Sequence, residues 1–229
     1  MGSFAQGVFE HERGMRVLLV GGSPERASAA TVARAANGCT AVVAIDRGLD
    51  SVLSAGLRCD LFCGDVDSVS PEGALVVERA ERGEEDFDVV RYNPHKDDTD
   101  LGLALSEVGR RWAGATVVAT CFSGGNPDHA LAVIGRFAAW GGKVVFAEDA
   151  FSGGVLRAGG VFPIHDAQGC RFSFVPLSPE AEVSETGMRW ELDHRTVPLL
   201  DDLGISNVIE MPDARITCHK GTIACWLFS

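Results

Sequence analysis

Three aspartates crowd one short stretch of the chain, which reads NPHKDDTDLGLAL at 93–105. Asp97, Asp98 and Asp100 occupy three of four consecutive positions there. Carboxylates about 4 Å apart repel each other by roughly 4 kcal/mol at an effective dielectric constant near 20, unless a cation lies among them. A divalent metal ion that also binds phosphate would supply that cation. The stretch alone leaves two interpretations open, a metal site and an over-acidic helix start.

A second acidic motif, GDVDS at 64–68, follows a short apolar run. Asp65 and Asp67 are two residues apart, so in an extended segment both side chains would point to the same side. Such oxygen ligands suit Mg²⁺, which commonly takes one or two carboxylates and fills its other positions with water and substrate phosphate. The alternative is an Asp-Ser turn in which Asp67 bonds to its own backbone. Together with the aspartates of 93–105, the motif favours a metal site.

A helix is expected to begin directly after the aspartates at 97–100. Apolar residues recur there at helical spacing, namely Leu101, Ala104, Leu105 and Val108. The first N–H groups of a helix lack intrahelical partners, so Asp98 or Thr99 would cap this one, and negative charge suits that end of the helix dipole. A cap explains one or two acids but leaves the third without a structural reason.

Elements that could position these acids alternate along the first two thirds of the chain. Apolar runs, each expected to be a strand, occur at 16–20, 41–45, 61–63, 89–92, 116–120 and 143–147. Helix-like segments separate most of them, which predicts an α/β fold with a parallel sheet and flanking helices, Rossmann-like. Ligands of such sheets bind beyond the carboxyl ends of the strands. Acids follow four of these ends, at Asp46, at Asp65 and Asp67, in 93–100, and at Asp128.

The pattern changes near 153–160, where long helical periods stop. Short runs rich in β-forming residues follow at 171–175, 208–211, 215–218 and 222–228, separated by Pro, Gly and Asp. We therefore predict two domains, an α/β catalytic domain at 1–155 and a small all-β sandwich at 156–229.

Composition excludes several classes of partner. The 229 residues include 46% hydrophobic residues, enough for a full core, and carry a net charge of −12. That charge disfavours nucleic acid and anionic membranes, since each needs a basic face. No apolar run reaches the roughly 20 residues of a membrane span, and the seven cysteines lack metal-ligand spacing. We expect a soluble, cytoplasmic protein with reduced thiols and no membrane or nucleic-acid partner.

Two further features could bind ligands. Gly124 and Gly125 precede the helix expected to contain Asp128, where exposed N–H groups could hold phosphate, although a plain turn is the alternative. Trp190 lies in GMRWEL, and it would be either a sandwich core residue or an exposed indole that stacks on an aromatic cation.

Six motifs in order resemble those of the thiamine pyrophosphokinase family, over most of the chain. AIDRGLD at 44–50 is similar to the family's A-D-G-G-A-N, and GDVDS to its G-D-F-D-S. HKDDTD is similar to its D-x-x-T-D, and SGGNPDH at 123–129 to its G-G-R-x-D-H. GMRWEL and GISN at 204–207 are similar to its G-L-K-W/Y-x-L and G-T-S-N.

The resemblance implies an α/β domain followed by a β-sandwich, and transfer of the pyrophosphoryl group of ATP to the hydroxyl of thiamine, with Mg²⁺ and release of AMP. It also implies a homodimer with thiamine at the subunit interface. By the resemblance, the metal-binding and catalytic residues are Asp65, Asp67, Asp97 and Asp100. The ATP and phosphate residues are Asp46, Arg47, Gly48, Lys96, Thr99, Gly124, Gly125 and Asp128. The thiamine residues are Trp190, Ser206 and Asn207.

Departures from the family motifs concern the ATP side of the site. Arg47 stands where the family usually has glycine, His95 where it often has an acid, and Asn126 where it often has arginine. Either Asp97 or Asp100 would accept the hydroxyl proton, and the sequence does not choose between them. Two other functions stay open, a Mg²⁺-dependent pyrophosphokinase acting on a pterin-like hydroxymethyl heterocycle and a non-catalytic nucleotide or thiamine binder.

Overall fold

The computed structural model describes residues 14–91 and 99–229, and these form two compact units. The first unit comprises 14–142 and 147–149, and the second comprises 143–146 and 150–229. The boundary predicted between 155 and 156 falls inside the strand Phe151–Arg157. His95, Lys96, Asp97 and Asp98, on which several predictions depend, lie outside the described residues.

The first unit alternates strands and helices, as the apolar periodicity predicted. Its strands are β1 (Arg16–Val20), β2 (Ala41–Ile45), β3 (Leu61–Cys63), β4 (Asp88–Val90) and β5 (Thr116–Thr120). Its helices are α1 (Ala29–Ala35), α2 (Gly48–Ser54), α3 (Pro71–Glu81), α4 (Asp100–Arg111) and α5 (Pro127–Trp140).

These strands pair in the order β5-β1-β2-β3-β4, and every pair is parallel. All five residues of β2 are buried, as are all three of β3, because the faces of a parallel sheet are covered by its crossover helices. The predicted parallel α/β sheet is therefore confirmed. Its carboxyl edge carries the residues that follow β2 and β3.

Short polar side chains cap the starts of three helices, α1, α3 and α4. The Ser28 hydroxyl accepts a hydrogen bond from the N–H of Thr31 at 3.3 Å, and the Ser70 hydroxyl accepts one from Gly73 at 3.1 Å. Thr99 caps α4 by accepting from the N–H of Gly102 at 3.2 Å. The cap predicted at Asp98 or Thr99 is thus provided by Thr99. The apolar face predicted for α4 is buried, namely Leu101, Ala104, Leu105 and Val108.

The second unit is built almost entirely of antiparallel strands. They are β6 (Val144–Ala147), β7 (Phe151–Arg157), β8 (Gly160–His165), β9 (Arg171–Pro176), β10 (Glu180–Thr186), β11 (Leu192–Pro198), β12 (Asn207–Val208), β13 (Asp213–Lys220) and β14 (Thr222–Phe228). One sheet of this unit has the order β12-β9-β14-β7-β6 and the other has the order β11-β10-β13-β8. A hydrophobic core that includes Phe172, Val183, Ile216 and Ile223 lies in this unit. The predicted sandwich is confirmed.

Four strands of this unit, β7, β8, β10 and β11, were not predicted. In β10 the outward residues are charged or hydroxylated, and β11 has a single buried position, so neither strand contains a continuous apolar run. The strand predicted at 208–211 is shorter than expected, because regular pairing of β12 ends at Val208. All seven cysteines lie within the described residues and are free thiols. Among the described residues, no helix is both long and apolar enough to cross a membrane.

Candidate functional site

Asp46 stands at the carboxyl end of β2 in a left-handed backbone conformation, with φ of 46°. Its N–H donates to the carbonyl of Cys63 at 3.0 Å, and its Oδ1 accepts from the N–H of Asp65 at 3.3 Å. A Cβ atom on Gly64 would overlap this same Oδ1. Position 64 therefore requires glycine, and the G of GDVDS lets the Asp46 carboxylate reach the next strand end.

The GDVDS motif folds as a tight turn, and the extended geometry expected from its spacing is wrong. Val66 has φ of 77°, which is a strained conformation for a β-branched residue. The Asp65 carboxylate accepts a hydrogen bond from the N–H of Asp67 at 3.0 Å, so the side chain that closes the turn is Asp65. Backbone strain of this kind is typical of functional sites, where the surrounding structure holds it in place.

Four carboxylates from three separate segments come together at this edge, namely Asp46, Asp65, Asp67 and Asp100. The pKa of Asp46 is raised to about 7, first by burial and then by the charges of Asp100 and Asp65. The pKa of Asp67 is raised mainly by the hydrogen bond to Asp65 and by its charge, with a smaller contribution from Asp100. The cluster is therefore electrostatically unfavourable as it stands.

A ready-made metal cage is not present in the part of the chain that the structure describes. Within residues 14–91 and 99–229, no three His, Cys, Asp or Glu side chains are arranged to hold a metal ion by themselves. Asp97, one of the four predicted ligands, lies outside these ranges. A Mg²⁺ ion that arrives with a nucleotide needs only one or two protein carboxylates, since phosphate and water fill its other positions.

Arg47 and Gly48 lie beside the acidic cluster, at the start of α2. The Arg47 Nε donates to the carbonyl of Ser68 at 3.2 Å, which ties the guanidinium to the end of the GDVDS turn. A Cβ on Gly48 would overlap the carbonyl oxygen of Val20. Gly48 thus allows α2 to pack closely on β1, a structural requirement that the sequence pattern alone did not reveal.

The loop after β5 is held by a residue that the sequence analysis missed. Glu148 is only 8% exposed, and its carboxylate accepts hydrogen bonds from the N–H groups of Cys121, Phe122 and Ser123 at 3.2, 2.8 and 3.3 Å. The pKa of Glu148 is raised, because the effect of burial outweighs the lowering by these three donors. An acid that directly follows an apolar strand is the same signal that identified Asp46, and it could have identified Glu148.

The predicted phosphate loop at Gly124 and Gly125 is already partly engaged by the protein. The Gly125 N–H donates to Glu25 at 3.4 Å, and both glycines have positive φ, 85° and 75°. The Ser23 hydroxyl donates to the carbonyl of Ser123. Asp128, in the first turn of α5, accepts from the N–H of its neighbour His129 at 2.9 Å. These contacts tie the loop to the segment of Ser23 and Glu25, and a phosphate contact by the two glycines stays a prediction.

In the second unit, Trp190 lies on the connection between β10 and β11, and the residue is 58% exposed. The interpretation of Trp190 as a sandwich core residue is therefore wrong. The guanidinium carbon of Arg189 is 5.6 Å from the centre of the indole, and Arg189 is also paired with Glu210 at 2.8 Å. An indole exposed in this way is available for stacking on a flat, cationic ligand.

The two other predicted thiamine residues differ in exposure. Ser206 is exposed with φ of 62°, and its N–H donates to the Ser173 hydroxyl at 3.0 Å. Asn207 is only 4% exposed, and its side chain hydrogen-bonds to the backbone of Trp190 and Val208. The structure therefore links Asn207 to Trp190 through protein contacts, which favours an indirect role for the amide.

Comparison with known proteins gives the same division into two units. Residues 32–143 match the thiamin pyrophosphokinase catalytic domain, and residues 163–223 match the thiamin pyrophosphokinase vitamin B1 binding domain. Thiamine pyrophosphokinase 1 of rice, Oryza sativa subsp. japonica, is 28% identical over 182 residues. That match covers 74% of this chain and 66% of the rice protein, just under two thirds of its length.

Two solved structures share the fold over nearly the whole chain. Thiamine pyrophosphokinase from Bacillus subtilis has a TM-score of 0.75 at 21% identity, covering 94% of this chain and 99% of that one. Thiamin pyrophosphokinase from Geobacillus thermodenitrificans has a TM-score of 0.75 at 24% identity, covering 94% and 98%. Likeness at this level of identity establishes the fold alone.

The fold and the carboxylate cluster define a protein with a Rossmann-like α/β unit, in which acids gather at the carboxyl edge of the parallel sheet, and with a β-sandwich unit. The two domain matches together span most of the chain, one in each unit. The chain belongs to the thiamine pyrophosphokinase family.

Proposed function

We propose that this protein is a Mg²⁺-dependent thiamine pyrophosphokinase, and that it converts ATP and thiamine to AMP and thiamine diphosphate. The thiamine hydroxyl oxygen forms a bond to the β-phosphorus of ATP. The bond between that phosphorus and the oxygen of the α-phosphate breaks, and AMP leaves with the electron pair. The observation that carries the proposal is the convergence of Asp46, Asp65, Asp67 and Asp100 within the unit that matches the catalytic domain.

The carboxylate cluster fits a divalent cation on chemical grounds. Its ligand atoms are oxygens, which Mg²⁺ prefers. The pKa of Asp46 is raised first by burial and then by the negative charges of Asp100 and Asp65, and a cation among these carboxylates would relieve that repulsion. Asp65, Asp67 and Asp100, together with Asp97 outside the described residues, would hold the ion. When bound, Mg²⁺ would neutralise charge on the triphosphate as it develops.

The chain's own residues would orient the phosphates and take up the proton. Asp100 or Asp97 would accept the hydroxyl proton of thiamine. Positioning of the attacking oxygen, the phosphorus and the leaving oxygen in line is the main requirement of such a transfer. Contacts with ATP or its phosphates are proposed for the remaining predicted residues of this side of the site, namely Asp46, Arg47, Gly48, Lys96, Thr99, Gly124, Gly125 and Asp128.

On the thiamine side, we propose that the exposed Trp190 indole stacks on the cationic thiazolium or the adjoining ring. Ser206, exposed beside Asn207, is proposed as a hydrogen-bond partner of the ligand. The homodimer with thiamine at the subunit interface and the cytoplasmic location remain part of this proposal. Free thiols at all seven cysteines support a reducing compartment.

The reaction is tested with purified protein, ATP, Mg²⁺ and thiamine, with the nucleotide and thiamine products separated by chromatography. We expect AMP and thiamine diphosphate in equal amounts, and loss of both when EDTA replaces Mg²⁺. A parallel reaction with a hydroxymethyl pterin as acceptor tests the alternative substrate. Formation of ADP, or absence of thiamine-dependent AMP, would contradict the proposal, and tight thiamine binding without turnover would indicate a non-catalytic binder.

A further inference from the structure

A carboxyl group is buried in the β-sandwich unit where an apolar side chain would be expected. On β10 the inward positions are Ala181, Val183 and Glu185, and Glu185 is only 1% exposed. Within the residues that the structure describes, the Oε1 atom of Glu185 has no hydrogen-bond partner. A buried polar atom without a partner costs free energy, so its presence calls for a compensating role.

The other oxygen of this carboxyl contacts Asn207. The Asn207 Nδ2 donates to Glu185 Oε2 at 3.1 Å and to the carbonyl oxygen of Trp190 at 2.8 Å. The Asn207 Oδ1 accepts from the N–H of Trp190 at 3.2 Å and from the N–H of Val208 at 2.9 Å. All four hydrogen-bonding positions of the amide are therefore used within the protein.

Glu185 helps to decide which way this amide faces. Its carboxyl oxygen and the Trp190 carbonyl both require a donor, while the N–H groups of Trp190 and Val208 both require an acceptor. Rotation of the Asn207 amide by half a turn would reverse all four contacts. The two acceptors thus hold Nδ2 on one side of the amide, and the two N–H groups hold Oδ1 on the other.

The orientation of the Asn207 amide affects the exposed indole of Trp190 through the backbone of that residue. Asn207 binds both the N–H and the carbonyl of Trp190, which fixes the backbone on either side of the residue. The same turn is closed by the Glu191 carboxylate, which accepts from the N–H of Gly187 at 2.7 Å. A large, exposed side chain on a turn between two strands is held in one place only if its backbone is held.

We propose that Glu185 is a positioning residue of the thiamine site, acting through Asn207 on the backbone of Trp190. This inference rests on the proposed function, in which Trp190 contacts thiamine. An apolar residue at 185 would suit the surrounding core, so the carboxyl serves the orientation of the indole at some cost in stability. Such departures from local packing rules are typical of functional sites.

The test compares Glu185→Leu with Glu185→Gln. The leucine removes the acceptor for Asn207, whereas the glutamine keeps one through its amide oxygen. Loss of one ordering hydrogen bond of about 1.4 kcal/mol corresponds to about a tenfold weakening of binding. We expect Glu185→Leu to raise the KM for thiamine about tenfold, with the KM for ATP and kcat changed less than about twofold. Glu185→Gln should stay within about threefold of the wild type.

A double-mutant cycle with Trp190→Ala shows whether the effect passes through the indole. If it does, Glu185→Leu adds less than about twofold to the KM for thiamine in the Trp190→Ala protein. Thiamine binding measured by calorimetry without ATP gives the dissociation constant directly, and it should follow the same pattern. Melting temperatures of all variants show whether they fold, and Glu185→Met, which also lacks an acceptor, replaces Glu185→Leu if the latter does not.

The outcomes separate the two proposals. A wild-type protein that makes no thiamine diphosphate would overturn the proposed function. An active wild type whose KM for thiamine is unchanged by Glu185→Leu or Glu185→Met would overturn the role of Glu185 alone. Full additivity in the cycle would also overturn it, because it would show that Glu185 does not act through Trp190.

Discussion

Replacing the buried Glu185 carboxyl with an amide should change how the stability of the protein depends on pH. Burial raises the pKa of Glu185 from 4.5 to about 7, and the hydrogen bond from Asn207 offsets only part of that rise. In the unfolded chain the group has its ordinary pKa. Between these two values the folded protein keeps a proton that the unfolded chain has released. The free energy of unfolding therefore falls as pH rises from 4.5 to about 7.

The size of the effect follows from the two pKa values. Each pKa unit is worth about 1.4 kcal/mol, so a rise from 4.5 to about 7 corresponds to about 3 kcal/mol. This stability is fully present below pH 4.5 and is lost above about pH 7. Glu185→Gln has no such proton to lose. Relative to that of the wild type, the free energy of unfolding of the variant should therefore rise by about 3 kcal/mol between about pH 4.5 and about pH 8.

Urea unfolding of both proteins at a series of pH values measures this difference. Other titrating groups, including Asp46 with its own pKa of about 7, are present in both proteins and cancel in the comparison. Equal pH dependence in the wild type and in Glu185→Gln would show that the carboxyl is ordinary in the folded state. If the stability of Glu185→Gln relative to the wild type fell as pH rose, the folded protein would stabilise the carboxylate form of Glu185 instead.

Three other substitutions test the first unit. Asp100→Asn should lower turnover by about two powers of ten or more. Its free energy of unfolding in urea should be unchanged or slightly higher, because the charge of Asp100 repels that of Asp46. Near-normal turnover would show that Asp100 serves only the start of α4. Thr99→Ala should lower the free energy of unfolding by about 1 kcal/mol, while Thr99→Ser keeps the cap, and equal loss in both would contradict the capping role. Glu148→Leu leaves three loop N–H groups without their acceptor, so it should lower the free energy of unfolding by about 2 to 3 kcal/mol. Glu148→Gln, which keeps an acceptor oxygen, should lower it less. A larger loss for Glu148→Gln would show that the loop does not depend on the carboxylate.

Much of the fold could be read from local periodicity. The bounds predicted for β1, β2, β3 and β5 agree with the structure, because a strand buried on both faces is a continuous apolar run. The helix start at Thr99 could be predicted because a cap depends only on residues a few positions away. Strands with one polar face, such as β10 and β11, carry a weaker signal and were missed.

The proximity of the four acids was also predictable, though their geometry was not. Carboxyl ends of parallel strands meet at one edge, which is why Asp46, Asp65 and Asp100 lie together. The left-handed backbone at Val66 depends on packing around the turn, and spacing alone suggested an extended segment instead. Their catalytic roles remain predictions.

The sequence by itself determined the class of fold, the edge at which acids gather and the order of motifs that resembles a family. Those properties follow from periodicity and from residues close together along the chain. Only the tertiary structure revealed that Glu148 holds the loop at 121–123 and that Glu185 holds Asn207 and, through it, Trp190. The partners in these contacts are 22 or more residues apart, so no local sequence pattern indicates them. The contact of Glu185 with Asn207, for example, exists only once the strands have packed.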